Sequence, residues 1–246
     1  MQIHYSGAVK ALGKKFAKKY NLKPYTNARK PVVIFGLFGH KDYRVLRKHK
    51  SKCIVLFRGS DALKIGREEA EIIKRKNPVV YAIGGFISED LKKWDIPHKI
   101  LPLSPTVPNI PCQPRGDKIY CYIKRDGGVK YNQKLAQEVS DRTGIDIIFT
   151  KFKQYSRSEL MEVYKQCFIG LRLNEHDGLP NTVLELGLMG RRSIYNGGIP
   201  ESIPWSGVED ICENVLLEYK NRHEPNESIS KSIKNYLNVG NEWMSC

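Results

Sequence analysis

The sequence lacks several features that mark whole classes of protein. It contains no apolar run of about 18 residues, so we expect no membrane-spanning helix. Residues 1–20 are rich in lysine and have no apolar signal region, which argues against a secretory signal. The six cysteines form no CxxC pair and keep no metal-site spacing with histidine. We therefore expect reduced thiols and a cytoplasmic, intracellular location, with peripheral contact to a membrane left open.

The composition is that of a soluble globular protein, but the charge is unevenly distributed. The chain has 246 residues, of which 41% are apolar and 27% charged, enough for one large or two small domains. Residues 1–110 carry 23 Lys and Arg against 8 Asp and Glu, a net charge of +15, whereas residues 111–246 carry 18 of each. This asymmetry predicts two units with different partners.

Short apolar runs alternate with helical patterns in both halves. The runs are continuously apolar and do not alternate between apolar and polar residues. Such strands are typical of parallel sheets that are buried on both faces. The predicted strands are residues 3–5, 32–38, 54–57, 79–83, 118–123, 145–150, 168–173 and 193–195. A segment with five prolines, residues 101–114, coincides with the change in charge and is the predicted linker.

These patterns predict an α/β protein with two doubly wound, Rossmann-like domains and a cleft between them. The expected bounds are 1–110 for a basic N-terminal domain and 111–220 for a C-terminal domain. Residues 221–246 are expected to form a helical segment that could cross back to the N-terminal domain.

Two acids around a predicted helix start form the most informative motif. Asp177 and Glu185 are separated by seven residues, and Pro180 and Asn181 are favourable residues for opening a helix between them. A helix N-terminus attracts phosphate through its free N–H groups and its dipole. Carboxylates on either side could accept hydrogen bonds from hydroxyls, so the motif suits a nucleotide-sugar.

Two glycine pairs follow predicted strands in the same half. Arg125 and Lys130 flank Gly127-Gly128, where a guanidinium and an ammonium could bind phosphate oxygens. Residues 197–201 read Gly-Gly-Ile-Pro-Glu, whose backbone N–H groups could face an anion. Taken alone, each segment is equally well explained as an ordinary turn with solvated side chains.

Taken together, these motifs resemble the donor domain of GT-B glycosyltransferases, in particular the retaining glycosyltransferase family 4, over roughly residues 118–202. The resemblance implies that Arg125 and Lys130 hold a donor diphosphate, that Asp177 holds the sugar and that Glu185 binds the ribose. It also implies donor contacts along the segment Gly178, Leu179, Pro180, Asn181 and Thr182. The family usually has Glu where this chain has Asp177, and often has Gly where it has Lys124.

The first half resembles the family only loosely. Gly7, after the first predicted strand, would stand for the family's glycine-rich loop, and Arg58 would occupy a position where the family often has His. By the same resemblance, Tyr155 would border the base of the donor. Whether Arg58, His40 or His176 touches substrate stays open.

The resemblance implies a retaining hexosyltransferase that uses a UDP-sugar or GDP-mannose and needs no other cofactor. No two aspartates stand two residues apart, so a DxD metal motif is absent, and arginine and lysine could supply the countercharge. The basic half could attract an anionic acceptor glycan or a membrane surface.

Three other functions remain open. One is a nucleic-acid-binding protein, which we do not expect because aromatic residues are not interleaved with the lysine clusters. The second is a nucleotide-sugar epimerase or phosphorylase on the same fold, and the third is a catalytically inactive binding module.

Overall fold

The computed structural model describes residues 1–104, 110–123, 131–151 and 154–245. By its internal contacts the chain divides into two units. The first comprises Met1–Thr106, Asp177–Leu179 and Val239–Cys246. The second comprises Val107–His176 and Pro180–Asn238.

The first unit is built on a six-stranded parallel sheet in the order β2-β1-β3-β4-β5-β6. Its strands are β1 Gln2–Tyr5, β2 Lys23–Pro24, β3 Val32–Phe35, β4 Cys53–Phe57, β5 Val79–Ala82 and β6 Lys99–Ile100. Its helices are α1 Lys10–Lys19, α2 His40–Lys48, α3 Arg67–Lys76 and α4 Gly85–Lys92. Helix α1 and the segment around Trp243 cover one face, and α2, α3 and α4 cover the other. The central strands are therefore buried on both sides, as their unbroken apolar sequence predicts.

The second unit contains a five-stranded parallel sheet in the order β11-β10-β9-β7-β8. Its strands are β7 Lys118–Ile123, β8 Ile147–Lys151, β9 Cys167–Leu171, β10 Arg192–Ile194 and β11 Ser202–Ile203. Its helices are α5 Gln133–Thr143, α6 Arg157–Lys165, α7 Asn181–Leu188, α8 Val208–Lys220 and α9 Glu227–Leu237. Helices α5 and α8 pack on one face. Tyr120 of β7 points to the opposite face and meets Tyr164 of α6 edge-on, with ring centres 4.9 Å apart.

Local sequence signals set several helix ends. Ser156 caps α6 by accepting a hydrogen bond from the backbone N–H of Glu159, and the Glu159 side chain accepts one from the backbone N–H of Ser156. This is the reciprocal capping box. Helix α5 ends at Thr143 and is capped by Gly144, whose φ of +68° is a conformation that favours glycine. These signals determine where α5 ends and where α6 begins.

The predicted doubly wound parallel sheets are confirmed, with differences at the ends of elements. The strand predicted at residues 32–38 ends at Phe35, because Gly36 takes φ +83° and turns the chain. Strands β2, β6 and β11 were not predicted, since two residues are too few to show a period. None of the helices in the described parts of the chain is long and apolar enough to span a membrane.

Candidate functional site

The strand order of the second unit defines the place where a ligand is expected. The chain leaves β7 towards β8 on one side, and leaves β9 towards β10 on the other. Neighbouring strands whose connections diverge open a crevice at their carboxyl ends, and doubly wound sheets bind ligands there. The carboxyl ends of β7 and β9 are therefore the candidate site, which we call the switch point.

The segment after β7 is the first of the two that border the switch point. The predicted phosphate-binding residues Arg125 and Lys130 belong to it, but residues 124–130 lie outside the described residues. Their role remains the prediction made from the sequence.

Helix α7 follows β9 and begins where the sequence predicts. Pro180 is its N-cap residue, with φ −70° and ψ 119°, and the helix starts at Asn181. The chain thus passes from the carboxyl end of β9 through a short loop to a helix N-terminus. Asn181 is exposed and Thr182 is half-buried, so the first turn of α7 faces solvent at this end. The N-terminus of a helix attracts an anion through its dipole and its first N–H groups.

Glu185 lies one turn inside α7 and is buried, with only 3% of its surface exposed. Its Oε1 is 3.2 Å from Nη1 of Arg157, the first residue of α6. Its Oε2 accepts a hydrogen bond of 3.0 Å from the hydroxyl of Tyr164. Burial raises the pKa of Glu185, while Arg157 and the Tyr164 hydrogen bond act in the opposite direction. The carboxylate is therefore held by two side chains of α6.

Tyr164 is in turn supported by Tyr120, a buried residue of the sheet. The Tyr120 hydroxyl lies 2.7 Å from the Thr150 hydroxyl of β8, and the Tyr120 ring packs against Tyr164. The position of Glu185 is thereby linked to strands β7 and β8. Sequence reasoning did not find Arg157, Tyr164 or Tyr120. For Arg157, the signal available in the sequence was a cation in the first turn of a helix that follows a predicted strand.

Arg172 is a second cation that sequence reasoning did not single out. It follows β9 directly and is 9% exposed. Its guanidinium carbon lies 4.7 Å from the centre of the Tyr131 ring and 5.3 Å from that of Tyr122. The signal available in the sequence was an arginine at the carboxyl end of a predicted strand.

Asp177, Gly178 and Leu179 belong to the first unit by their contacts. The Asp177 carboxylate accepts a hydrogen bond of 2.8 Å from the backbone N–H of Gly178. Leu179 packs against the apolar core formed by β3, β4 and β5 with α2, α3 and α4. A side chain at position 178 would place its Cβ 2.8 Å from the carbonyl oxygen of Arg58. Glycine is therefore required here by close backbone approach.

Arg58 is used inside the first unit. Its Nη1 donates a hydrogen bond of 2.7 Å to the carbonyl of Leu103, and its guanidinium stacks on Phe35 at 4.7 Å. Burial lowers the pKa of Arg58 to about 10. Asp61 accepts hydrogen bonds from the backbone N–H groups of Arg58 and Gly59 and so shapes the same turn.

The other predicted contact residues differ in their surroundings. Gly7 follows β1, and a side chain there would meet nothing within 4 Å. Tyr155 is 37% exposed, and its hydroxyl accepts a hydrogen bond of 3.4 Å from Gln154. In the loop 197–201, Glu201 forms an ion pair of 3.3 Å with Arg192, which favours the interpretation of this segment as a structural turn.

Within the described ranges, no group of three or more His, Cys, Asp or Glu side chains could hold a metal ion.

No family model matches the chain, and no curated protein matches it by sequence. Solved structures do match it. A glycosyltransferase from Rickettsia africae is 14% identical with a TM-score of 0.60, covering 94% of this chain and 76% of that one. The lipopolysaccharide outer core galactosyltransferase WaaB gives the same values. Sucrose-phosphate synthase from Thermosynechococcus elongatus is 10% identical with a TM-score of 0.60, covering 94% and 73%.

The chain spans less than two thirds of other proteins that it matches. It covers 58% of S. aureus TarM in a structure with UDP, at 11% identity and a TM-score of 0.51, and 55% of a second TarM structure. At such identities the similarity concerns the fold. The two Rossmann-like sheets and these neighbours define an α/β protein of the GT-B class, which confirms the fold class predicted from the sequence.

Proposed function

We propose that this protein is a glycosyltransferase that binds a nucleoside-diphosphate sugar at the switch point of its second unit. The observation that carries the proposal is the buried carboxylate of Glu185, one turn inside the helix that opens at this point. The fold adds support, because it is shared with glycosyltransferases, and one of these, TarM, has been crystallised in complex with UDP.

Glu185 would bind the ribose of the donor. A carboxylate offers about four lone-pair directions, of which Arg157 and Tyr164 use two. The remaining directions can accept hydrogen bonds from the two ribose hydroxyls. Because Arg157 and Tyr164 fix the carboxylate in advance, little ordering would be needed on binding.

The diphosphate would lie at the N-terminus of α7, with Arg125 and Lys130 as its counter-ions. These groups would stabilise the leaving diphosphate as its charge increases, without a metal ion or other cofactor. Asp177 would hold the sugar, with contacts from the backbone of Gly178–Thr182. Gly7 would leave room for the backbone to approach the donor, and Tyr155 would border the base.

The finer specificity that we propose follows the resemblance. The enzyme would be a retaining hexosyltransferase of the family 4 type, with a UDP-sugar or GDP-mannose as donor. The leaving phosphate would take the proton of the attacking acceptor hydroxyl, so no protein nucleophile is required. The acceptor would be an anionic glycan or a lipid- or protein-linked sugar attracted by the basic first half, in a cytoplasmic protein that contacts membranes at their surface.

A titration tests the donor site directly. UDP- and GDP-sugars are screened by thermal shift, and the best ligand is titrated by calorimetry into the wild type, Glu185→Ala and Arg125→Ala. Each variant should lose about 1–3 kcal/mol of binding free energy, the scale of one charged hydrogen bond. Wild-type affinity in both variants would refute the proposed site.

Glu218→Gln provides a matched control for the loss of a buried charge. Glu218 is equally buried in the second unit and is paired with Arg115 and Arg192, but it lies on α8. The folded fraction of this variant should bind the donor normally. Product analysis then separates transfer to an acceptor from epimerisation of the donor.

A further inference from the structure

Helix α1 of the first unit carries a surface of lysines without any acidic residue. Residues 1–41, which include this helix, contain eight lysines and one arginine but no aspartate or glutamate. The lysines of α1 are all exposed, and they are Lys10, Lys14, Lys15, Lys18 and Lys19. Among the described residues none of them forms an ion pair, and only Lys19 has a hydrogen-bond acceptor, the Ser104 carbonyl at 3.3 Å. The described part of the unit therefore leaves this charge open to solvent.

Most of these lysines are placed unfavourably for the helix itself. Lys10 is the first residue of α1, where the positive end of the helix dipole repels a cation. Lys14 follows it by four residues and Lys18 follows by four more, and like charges at this spacing destabilise a helix. Only Lys18 and Lys19, in the last turn, suit the dipole. Stability of the helix therefore does not explain the row.

Helices α2 and α3 of the same unit show the opposite arrangement. The first turn of α3 holds Glu68 and Glu69, and its last turn holds the three cations 74–76. The first turn of α2 holds Asp42, and its last turn holds two cations. Charges placed in this way stabilise a helix through its dipole. The cations of α2 and α3 thus have a structural explanation, whereas those of α1 point to a binding partner.

The spacing of the α1 lysines suits a linear polymer. Residues four apart in a helix lie on the same side and about 6 Å apart along its axis. Lys10, Lys14 and Lys18 therefore present a row of three charges along the helix. A lysine ammonium is a compact charge on a flexible stem, so it pairs with an anionic group without demanding one fixed geometry. Such a row can follow a chain that carries charges at regular intervals.

The other side of α1 argues against a membrane as the partner. A helix that lies in a membrane interface buries its apolar face among the lipids. In α1 that face already packs on the sheet, where Phe16 is fully buried and Leu12 joins the same core.

A single-stranded nucleic acid would need aromatic rings on which its bases can stack. The exposed residues of α1 include none. Tyr20, at the end of the helix, is half-buried, and its ring centre lies 4.6 Å from that of Phe16 and 5.4 Å from that of Trp243. The features of this surface therefore favour a polyanion without bases.

We propose that α1 binds a linear anionic glycan, and that this glycan is the acceptor of the transferase. The ligand class is a polysaccharide with carboxylate, sulfate or phosphate groups along its length. Its role as acceptor rests on the proposed function, whereas the binding itself is independent of the donor site.

Fluorescence anisotropy with labelled oligogalacturonate, a linear glycan with one carboxylate per sugar, tests the binding. The fully methyl-esterified oligomer has the same backbone without charge and should bind much more weakly. The α1 variant combines Lys10→Gln, Lys14→Gln and Lys18→Gln. It should bind oligogalacturonate roughly 20- to 100-fold more weakly at about 0.1 M salt, because three charged contacts and their counter-ion release are lost. The slope of log affinity against log salt should fall by about two.

A variant of α2 supplies the matched control, because it removes the same charge from the other face of the sheet. It combines Arg44→Gln, Arg47→Gln and Lys48→Gln, three exposed positions. At about 0.1 M salt the screening length is about 10 Å, so its affinity should stay within about threefold of the wild type. Glutamine has nearly the helix propensity of lysine, and the α1 variant also loses like-charge pairs. It should therefore melt no lower than the wild type.

Three outcomes would overturn the inference. Equal affinity of the α1 and α2 variants would show that net charge alone attracts the glycan. Tighter binding of an oligothymidylate of equal charge, lost in the α1 variant, would show a nucleic-acid surface. Sedimentation with phosphatidylglycerol vesicles, without binding of oligogalacturonate, would show a membrane surface.

Glu185→Ala separates this site from the donor site, because it should bind oligogalacturonate like the wild type. A wild type that binds the glycan through α1 but no nucleotide-sugar would refute the proposed function and the acceptor role, and would support the glycan site. A wild type that binds a nucleotide-sugar but no oligogalacturonate would refute the glycan site alone.

Discussion

Replacing Gly84 by alanine should destabilise the first unit more than the same replacement at Gly39. Both glycines are N-cap residues, of α4 and α2, and their backbones are nearly identical: φ −169° and ψ 174° at Gly84, φ −168° and ψ 176° at Gly39. Any residue can adopt this extended conformation. The loss of a glycine N-cap is therefore the same small cost at both positions.

The surroundings of the two positions set the difference between them. A Cβ at position 84 would lie 2.8 Å from the carbonyl oxygen of Gly178, whereas one at position 39 would meet nothing within 4 Å. The obstructing atom is backbone, which cannot rotate away as a side chain can. Overpacking of this kind typically costs about 1–3 kcal/mol. We therefore expect Gly84→Ala to lower the free energy of unfolding by that amount relative to Gly39→Ala.

Urea unfolding followed by tryptophan fluorescence measures the difference, since Trp94 and Trp243 both pack in the first unit. Thermal unfolding provides a check, at roughly 2–4 °C per kcal/mol for a chain of this size. Equal stability of the two variants would refute the reasoning. It would mean that the Gly178 carbonyl is not held against Gly84, and that Asp177–Leu179 is not fixed to the first unit as described.

Three further predictions concern the proposed donor site. Tyr164→Phe should lower the free energy of unfolding by about 1–3 kcal/mol, measured by urea denaturation, because Oε2 of the buried Glu185 loses its donor. Burial raises the pKa of Glu185, so UDP binding should weaken as the pH falls through that raised value and the carboxylate is protonated. Calorimetry at several pH values should show this dependence in the wild type and not in Glu185→Gln. Because the diphosphate of UDP titrates in the same way with both proteins, a difference between them is due to Glu185. Finally, donor binding should survive EDTA, and a strict need for Mg²⁺ or Mn²⁺ would contradict the assignment of the countercharge to arginine and lysine.

The helix start at the switch point could be predicted from the sequence because its signals are local. Pro180 followed by Asn181 and an apolar helical pattern is sufficient to place the first residue of α7, and the structure confirms it. The partners of Glu185 could not be predicted in the same way. Arg157 and Tyr164 belong to α6, more than 20 residues earlier in the chain, and sequence periodicity does not tell which helices pack side by side on one face of a sheet.

Arg172 shows a related limit. Its two tyrosines lie in and after β7, so this group of side chains exists only once β9 is placed beside β7. A sequence that predicts eight strands does not predict their order, and the switch point follows from the order. The residue was visible as an arginine after an apolar run, but its proximity to Tyr122 and Tyr131 was not.

The two acids of the most informative sequence motif are held in place by different means. Glu185 is fixed by side chains, through an ion pair and a hydroxyl from α6, within the second unit. Asp177 accepts a hydrogen bond from the backbone N–H of Gly178, which is packed against Arg58 and Gly84, and the following Leu179 enters the core of the first unit. A substitution that disturbs one support should leave the other intact. The roles proposed for Glu185 and Asp177 are therefore separable by mutation, although the two residues stand only eight positions apart in the chain.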